Sequence, residues 1–150
     1  ANGSKVLVVG SRAGFVKEFG EALGKTGVNV SVVTFDDHPT ADQAAQVQQA
    51  AGSVDAVVAL TYNVAENTEQ ADLVNALHGA GRKVIAVAVG NPYDVGRYGS
   101  AAALCTYSDQ SLMAAPLATI ITGGRKPEGK LPVAIPTSEG SLPVGTGLSW

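Results

Sequence analysis

Short unbroken apolar runs alternate along this chain with longer segments whose apolar residues recur at helical spacing. Lys5–Val9 (KVLVV) reads as a strand ending at Gly10, and Phe15, Val16, Phe19 and Leu23 then share one helical face. Gly24 and Gly27 end that helix, Val28–Phe35 (VNVSVVTF) predicts a second strand, and Asp36-Asp37-His38-Pro39 breaks it. Thr40 and Gln43 have the spacing at which each side chain satisfies a free backbone donor of the other residue. A helix is therefore expected from about Ala41 to Ala51, with Ala44, Val47 and Ala51 inward. Asp55–Leu60 (DAVVAL) predicts the third strand, ending in Thr61-Tyr62-Asn63. Asn63 and Glu66 repeat the cap-like spacing, and Ala71, Val74 and Leu77 mark the stripe of a third helix that Gly79 and Gly81 terminate.

The stretch Lys83–Asp94 (KVIAVAVGNPYD) is the most informative. Val84–Val89 is apolar without alternation, which suits a strand buried on both faces at the centre of a parallel sheet. Gly90 and Pro92 stop it, and Asn91, Tyr93 and Asp94 crowd hydrogen-bonding side chains at its carboxyl end, where open α/β sheets bind ligands. Two readings of Asn91–Asp94 stand side by side. One is a turn in which Pro92 fixes φ and Asp94 caps a short helix from Val95; the other is a ligand or partner contact. Ala101–Thr106 predicts a fifth strand. Asp109–Thr122 predicts a helix that Pro116 must either kink or restart. Lys130–Ile135 (KLPVAI) reads as an edge strand, where Pro132 is tolerated, and the tail as loop. The alternation predicts an α/β fold, a three-layer αβα sandwich with a mostly parallel five- or six-stranded sheet of flavodoxin- or Rossmann-like type.

At 150 residues the chain is expected to be one domain, 1–150, with room for a sizeable core. Its 10 basic and 13 acidic residues give a net charge of -3 without runs of one sign, which argues against nucleic acid or an anionic membrane as partner. The single cysteine, Cys105, excludes an internal disulfide and reads as a packed thiol between Leu104 and Thr106. The start lacks the layout of a signal peptide and no apolar run approaches a membrane span, so the chain is expected to be soluble; the sequence assigns no compartment.

Motifs for cofactor chemistry fail on inspection. Gly124–Lys130 imitates a phosphate-binding loop, but Leu131 stands where a Ser or Thr must hold magnesium, and the loop follows a helix. Gly20–Thr26 is one residue short, and Gly10–Gly14 lacks the dinucleotide pattern. No serine has a G-x-S-x-G frame. His38 and His78 lie far from each other and from Cys105, so both are expected in solvent and no metal site is predicted. Glu66, Glu69, Asp72 and Asp94 flank the third and fourth strands; paired carboxylates perform glycosidic acid/base chemistry, but on helices they usually form a solvated face. The residues alone therefore lead to an α/β domain with no cofactor and an unassigned site at one sheet edge.

Four segments carry a resemblance. LTYN at Leu60–Asn63, the run Glu69–Asp94 ending in N-P-Y-D, CTYSDQS from Cys105, and GRKPEGKLPVAIP at Gly124–Pro136 together resemble the C-terminal domain of glycoside hydrolase family 3. Pro143–Trp150 is similar to that domain's usual end. The N-P-Y-D form resembles the β-N-acetylhexosaminidase branch. The β-glucosidase branch usually carries a P-G-x-x-G-G segment after strand five, where this chain has TYSDQSLMAA.

The resemblance implies that catalysis lies elsewhere. Family enzymes hold the sugar in an N-terminal (β/α)8 barrel that supplies an aspartate nucleophile and, in the hexosaminidase branch, a histidine acid/base. Such a barrel takes about 250 residues, so it is absent from this chain and becomes the domain's expected partner. The parent enzyme implied is a retaining β-N-acetylhexosaminidase acting on terminal β-linked N-acetylglucosamine. No catalytic residue is expected here. Asn63, Asn91, Tyr93 and Asp94 are expected on the face turned toward the barrel or its sugar substrate. Exposure of that face would favour self-association. Two other classes remain open: a flavodoxin-like small-molecule binding module, and a stand-alone structural or carbohydrate-binding domain whose sugar binding Trp150 or the tyrosines would report.

Overall fold

The computed structural model describes residues 3–99 and 101–147. Trp150, and with it the last residues of the closing segment, lies outside them. Five parallel strands form the sheet: β1 (Lys5–Gly10), β2 (Asn29–Thr34), β3 (Ala56–Thr61), β4 (Val84–Ala88) and β5 (Ala102–Cys105), in the order β2-β1-β3-β4-β5. Among the described residues four α-helices cover it: α1 (Ala13–Gly24), α2 (Ala41–Ala51), α3 (Thr68–Gly79) and α4 (Ala114–Ile121).

The period of two along each strand sorts the side chains into two cores. Leu7, Val9, Val57, Ala59, Ala86 and Ala88 face α2 and α3, where Val47, Ala51, Val74 and Leu77 meet them. Val8, Val58, Leu60 and Val87 face the other way, onto Phe15, Val16, Phe19 and Leu23 of α1 and Leu117 of α4. Central strands covered on both faces can carry no polar alternation, which is why β4 reads as a continuous apolar run. At the sheet's edge β2 is more open, and Val32 is 39% exposed.

Local signals explain most element boundaries. The box at the start of α2 closes as expected: Thr40 Oγ1 accepts from Gln43 N at 3.2 Å, and Gln43 Oε1 accepts from Thr40 N at 3.1 Å. Pro116 lies in the first turn of α4, where its missing N–H leaves no helical bond unmade, and a 3-10 turn at Ser111–Met113 precedes it. The proline thus restarts the helix. The third helix begins at Thr68, later than the Asn63/Glu66 spacing suggests. Asn63 adopts φ 48° and its amide donates to the Glu66 carboxylate at 2.8 Å, so this pair braces a turn before the helix.

Lys130–Ile135 does not join the sheet, contrary to the edge-strand expectation. Ile135–Thr137 (β6) pairs instead with Gly140–Leu142 (β7) in a separate antiparallel hairpin. Two causes are visible. Pro132 lacks the N–H group a ladder needs, and the backbone of Leu131 is engaged with the tail, donating to Thr146 O and accepting from Gly145 N, both at 2.8 Å. The hairpin docks through Ile135, which is fully buried, onto the 3-10 helix Pro92–Arg97. Gly96 makes that approach possible, because a Cβ there would lie 2.0 Å from Pro136 O.

Gly96→Ala should accordingly destabilise the chain by about 1–3 kcal/mol, the usual range for forced overpacking, read from urea denaturation midpoints. Gly14→Ala, where a Cβ meets nothing within 4 Å, should be neutral or stabilise by about 0.5–1 kcal/mol. Equal midpoints for Gly96→Ala and the unsubstituted chain would contradict the docking described.

Candidate functional site at the carboxyl edge of the sheet

In the order β2-β1-β3-β4-β5 the connections reverse direction between β1 and β3, and open α/β sheets bind ligands beyond the carboxyl ends of the strands at such a point. The residues that carry chemistry gather along this edge in a buried layer and a surface layer.

Asp94 anchors the buried layer. It does not cap the short helix: Asn91 does, its Oδ1 accepting from Tyr93 N at 3.1 Å, with Pro92 in the first turn. The 3-10 turn that follows rolls Asp94 inward to 1% exposure, where Oδ1 accepts from Val64 N at 3.1 Å. Oδ2 is buried and meets no donor among the described residues. Burial raises the Asp94 pKa above its ordinary value, opposed by the N–H groups of Val64 and Asn63 and by the charge of Arg97. Beside it Tyr98 is fully buried, its hydroxyl hydrogen-bonded to Thr61 Oγ1, and burial drives its pKa upward. Cys105, half-buried, is pushed up to about 11 by desolvation and then by the Asp94 charge. It therefore stays a thiol at neutral pH.

Toward the switch point, Tyr62 organises the surface layer. The Arg12 guanidinium lies 3.6 Å from its ring centroid and 3.7 Å from Asp37 Oδ2. A Cβ at Gly90, where φ is 98°, would fall 3.5 Å from the ring. The buried Gln70 links two loops: its Oε1 accepts from Tyr62 N at 3.0 Å, and its Nε2 donates to Asp37 O at 2.7 Å. Asn67 Nδ2 adds a bond to Tyr62 O at 2.8 Å. Beside them Ser11 Oγ and Arg12 Nε are buried without a hydrogen-bond partner among the described residues.

The structure disperses the candidate acids. Glu66 is engaged by Asn63, while Glu69 pairs with exposed His38 at 3.1 Å and has its pKa lowered by a backbone hydrogen bond and then by that histidine. Asp72 is exposed on α3, as is His78. Among the described residues no group of three or more His, Cys, Asp and Glu is arranged to hold a metal, and no helix is long and apolar enough to cross a membrane. A cavity of about 820 Å³ lies beneath the C-terminal segment and reaches the carboxyl end of β5; Leu104, Leu117, Ile120 and Leu131 line it together with Cys105, Thr106 and Tyr107.

Of the four predicted site residues, Asn63 and Asn91 are half-buried, Tyr93 is 48% exposed and Asp94 lies beneath them. Sequence reasoning missed Tyr107, which follows β5, is 46% exposed and adopts φ 60°. It also missed the Arg12–Tyr62 stack. The available signal was the recurrence of tyrosine soon after strands three, four and five.

A family model described as glycosyl hydrolase family 3 C-terminal domain matches residues 1–148. This chain belongs to that family. Its fold is that of a family 3 β-N-acetylglucosaminidase from Paenibacillus sp. str. FPU-7, with TM-score 0.72 and 27% identity over 80% of this chain and 25% of that one. A fungal multi-domain family 3 β-N-acetylglucosaminidase aligns at TM-score 0.77 and 20% identity, covering 95% of this chain and 17% of that one. The family 3 C-terminal domain thus spans about a quarter or less of the length of these two proteins. The signal receiver domain of the putative response regulator NarL from Mycobacterium tuberculosis shares the fold at TM-score 0.54 and 16% identity, covering 83% of this chain and 100% of that one. No curated protein matches in sequence.

The buried carboxyl generates a pH signature. Between the ordinary aspartate value of 3.8 and the raised value, the folded chain holds a proton that the unfolded chain has released. Stability from this group is therefore lost as pH rises through that window. Asp94→Asn keeps an acceptor for Val64 N and removes the titration. Denaturation midpoints measured across the acidic range should show the unsubstituted chain losing stability relative to Asp94→Asn as pH rises; parallel curves would contradict the buried titration.

Proposed function

We propose that this chain is the accessory layer of a family 3 glycoside hydrolase. In this reading the parent polypeptide carries a catalytic (β/α)8 barrel and is a retaining enzyme that removes terminal β-linked N-acetylglucosamine. The observation that carries the reading is the family match across residues 1–148 in a chain that covers only 25% of the Paenibacillus β-N-acetylglucosaminidase. The N-P-Y-D form at Asn91–Asp94 favours the hexosaminidase branch.

The carboxyl edge is the face turned toward the barrel or its sugar. Asn63, Asn91 and Tyr93 present side chains there, and Asp94 supports them from below by holding the backbone of Val64. The chemistry agrees with a non-catalytic role. The common retaining mechanism uses two carboxyl groups about 5–5.5 Å apart, and the hexosaminidase branch an aspartate with a histidine; on this chain Glu66 and Glu69 are tied to Asn63 and His38, and Asp94 is enclosed. The exposed tyrosines of this edge would also support self-association when the barrel is missing.

The purified chain is expected to show no turnover of a chromogenic β-N-acetylglucosaminide, and to form a complex with the separately expressed barrel of its parent polypeptide on size-exclusion chromatography. Asn63→Ala with Tyr93→Ala should weaken that complex. Turnover that persists to homogeneity and disappears with Asp94→Ala would overturn the reading, as would absence of a complex.

A further inference from the structure

The two lateral strands of the sheet are finished differently. At one side β5 is only 4 residues long and the C-terminal segment lies near it, Leu104 and Cys105 sharing the wall of one cavity with Leu131 and Leu142. At the other side β2 runs for 6 residues, Asn29–Thr34 (NVSVVT), and no strand among the described residues lies beyond it. Proteins usually blunt such an edge with lysine, proline or a bulge, because its unpaired backbone groups template pairing with another chain. β2 carries no charged residue, no proline and no glycine, and its register with β1 runs unbroken from Lys5 opposite Asn29 to Gly10 opposite Thr34. Asn29, Ser31, Val32 and Thr34 are all exposed.

The ladder to β1 fixes which backbone groups are unpaired. Asn29 N donates to Ser4 O at 2.9 Å, and Phe35 N donates to Gly10 O at 3.2 Å. Alternate residues of a strand face the same neighbour, so Asn29, Ser31, Val33 and Phe35 turn their N–H and C=O groups toward β1. Val30, Val32 and Thr34 turn theirs outward. The side chains of Val30 and Val32 stand on the α1 side of the sheet, where a Cβ at Gly20 would lie 2.9 Å from Val32 Cγ2 and 3.6 Å from Val30 Cγ1. Val32, the middle one of the outward residues, stays 39% exposed.

This pattern is complementary to itself. A two-fold axis perpendicular to the sheet keeps each face on its own side, so only residues of one face can stand opposite each other. Centred on Val32, the axis sets Val32 against Val32 of a second copy and Val30 against Thr34. These are antiparallel hydrogen-bonded pairs, and they satisfy every outward group of the strand. The charges agree. α1 runs antiparallel to β2 and crosses Val32 at Gly20, so the same axis sets the two α1 helices antiparallel. Lys17 and Glu21, exposed one turn apart on α1, then run in opposite order on the two copies, and each lysine comes alongside the glutamate of the other copy. An uncharged strand offers a charged foreign segment no partner, whereas an identical strand meets it without like-charge contacts.

We propose that β2 pairs with β2 of a second copy of this chain, joining their sheets into one about a two-fold axis at Val32. The surface lies at the side of the sheet, away from the carboxyl ends proposed above to face the barrel, so the inference does not depend on that reading.

Analytical ultracentrifugation from micromolar to millimolar chain, with amide hydrogen exchange read by NMR over the same range, tests the pairing. A reversible dimer is expected. The amides of Val30, Val32 and Thr34 should gain protection as the dimer fills, while those of Ser31 and Val33 stay protected throughout. Val32→Lys sets two like charges directly opposite each other and should raise the dissociation constant about tenfold or more, a change of about 1.4 kcal/mol. Val32→Thr keeps the strand uncharged and should leave the dimer in place. Thr34→Lys, at an exposed position, should also weaken the dimer, and unchanged melting temperatures would confirm that both lysine variants fold. A monomer at every concentration, or a dimer that both lysine variants leave intact, would overturn the pairing. So would a dimer dispersed by Tyr93→Ala, which would move self-association to the carboxyl edge. Val32→Lys should leave the complex with the barrel unchanged; loss of that complex would make β2 a barrel contact and overturn the second copy as its occupant.

Discussion

A carboxylate removed from water needs compensation, and at Asp94 that requirement shapes the carboxyl edge of the sheet. Its Oδ1 finds the backbone N–H of Val64, while Oδ2 is enclosed without a donor among the described residues. Leaving a buried acceptor unmatched costs about 1–3 kcal/mol, so this contact persists only because the surrounding packing holds it. Tyr98 and Thr61 close the space on one side, and the hairpin of β6 and β7 presses on the same 3-10 helix through Gly96. The loop after β3 is thereby tied to the loop after β4. Asn63 can then remain at φ 48° because its neighbour Val64 is pinned from below.

The edge therefore divides its tasks by depth. Central strands buried on both faces supply a rigid base, and the buried layer of Thr61, Tyr98 and Asp94 fixes loop positions without meeting solvent. The outer layer is built from groups whose hydrogen bonds are only partly used. Cys105 is held as a thiol, and Glu69 is paired with His38. The receiver domain of NarL shares the fold at 16% identity, and a fold shared so widely does not by itself specify function.

Much of the fold was legible from residue order. Five parallel strands could be placed because a strand covered on both faces must be apolar throughout, and the helices because amphipathic spacing and the Thr40–Gln43 box are local properties. The family membership was also legible, in the N-P-Y-D and G-K-L-P-V segments. What resisted reading was long-range. Lys130–Ile135 has strand composition, yet its backbone partners are chosen by Thr146 and Gly145 rather than by β5. Asp94 has the spacing of a cap, yet Asn91 takes that role, because the turn that Pro92 starts rotates Asp94 toward Val64, thirty residues earlier in the chain.

The sequence by itself determined the layer architecture, the capping of α2, the strand ends where chemistry gathers and the family to which the chain belongs. Those features depend on periodicity and on interactions within a few residues, which order along the chain encodes directly. Only the tertiary structure decided that Asp94 is buried while Tyr93 is exposed, that Arg12 stacks on Tyr62, and that the C-terminal hairpin stays out of the sheet. Each depends on which distant groups compete for the same donor, acceptor or space, and that competition is settled only when the strands are side by side.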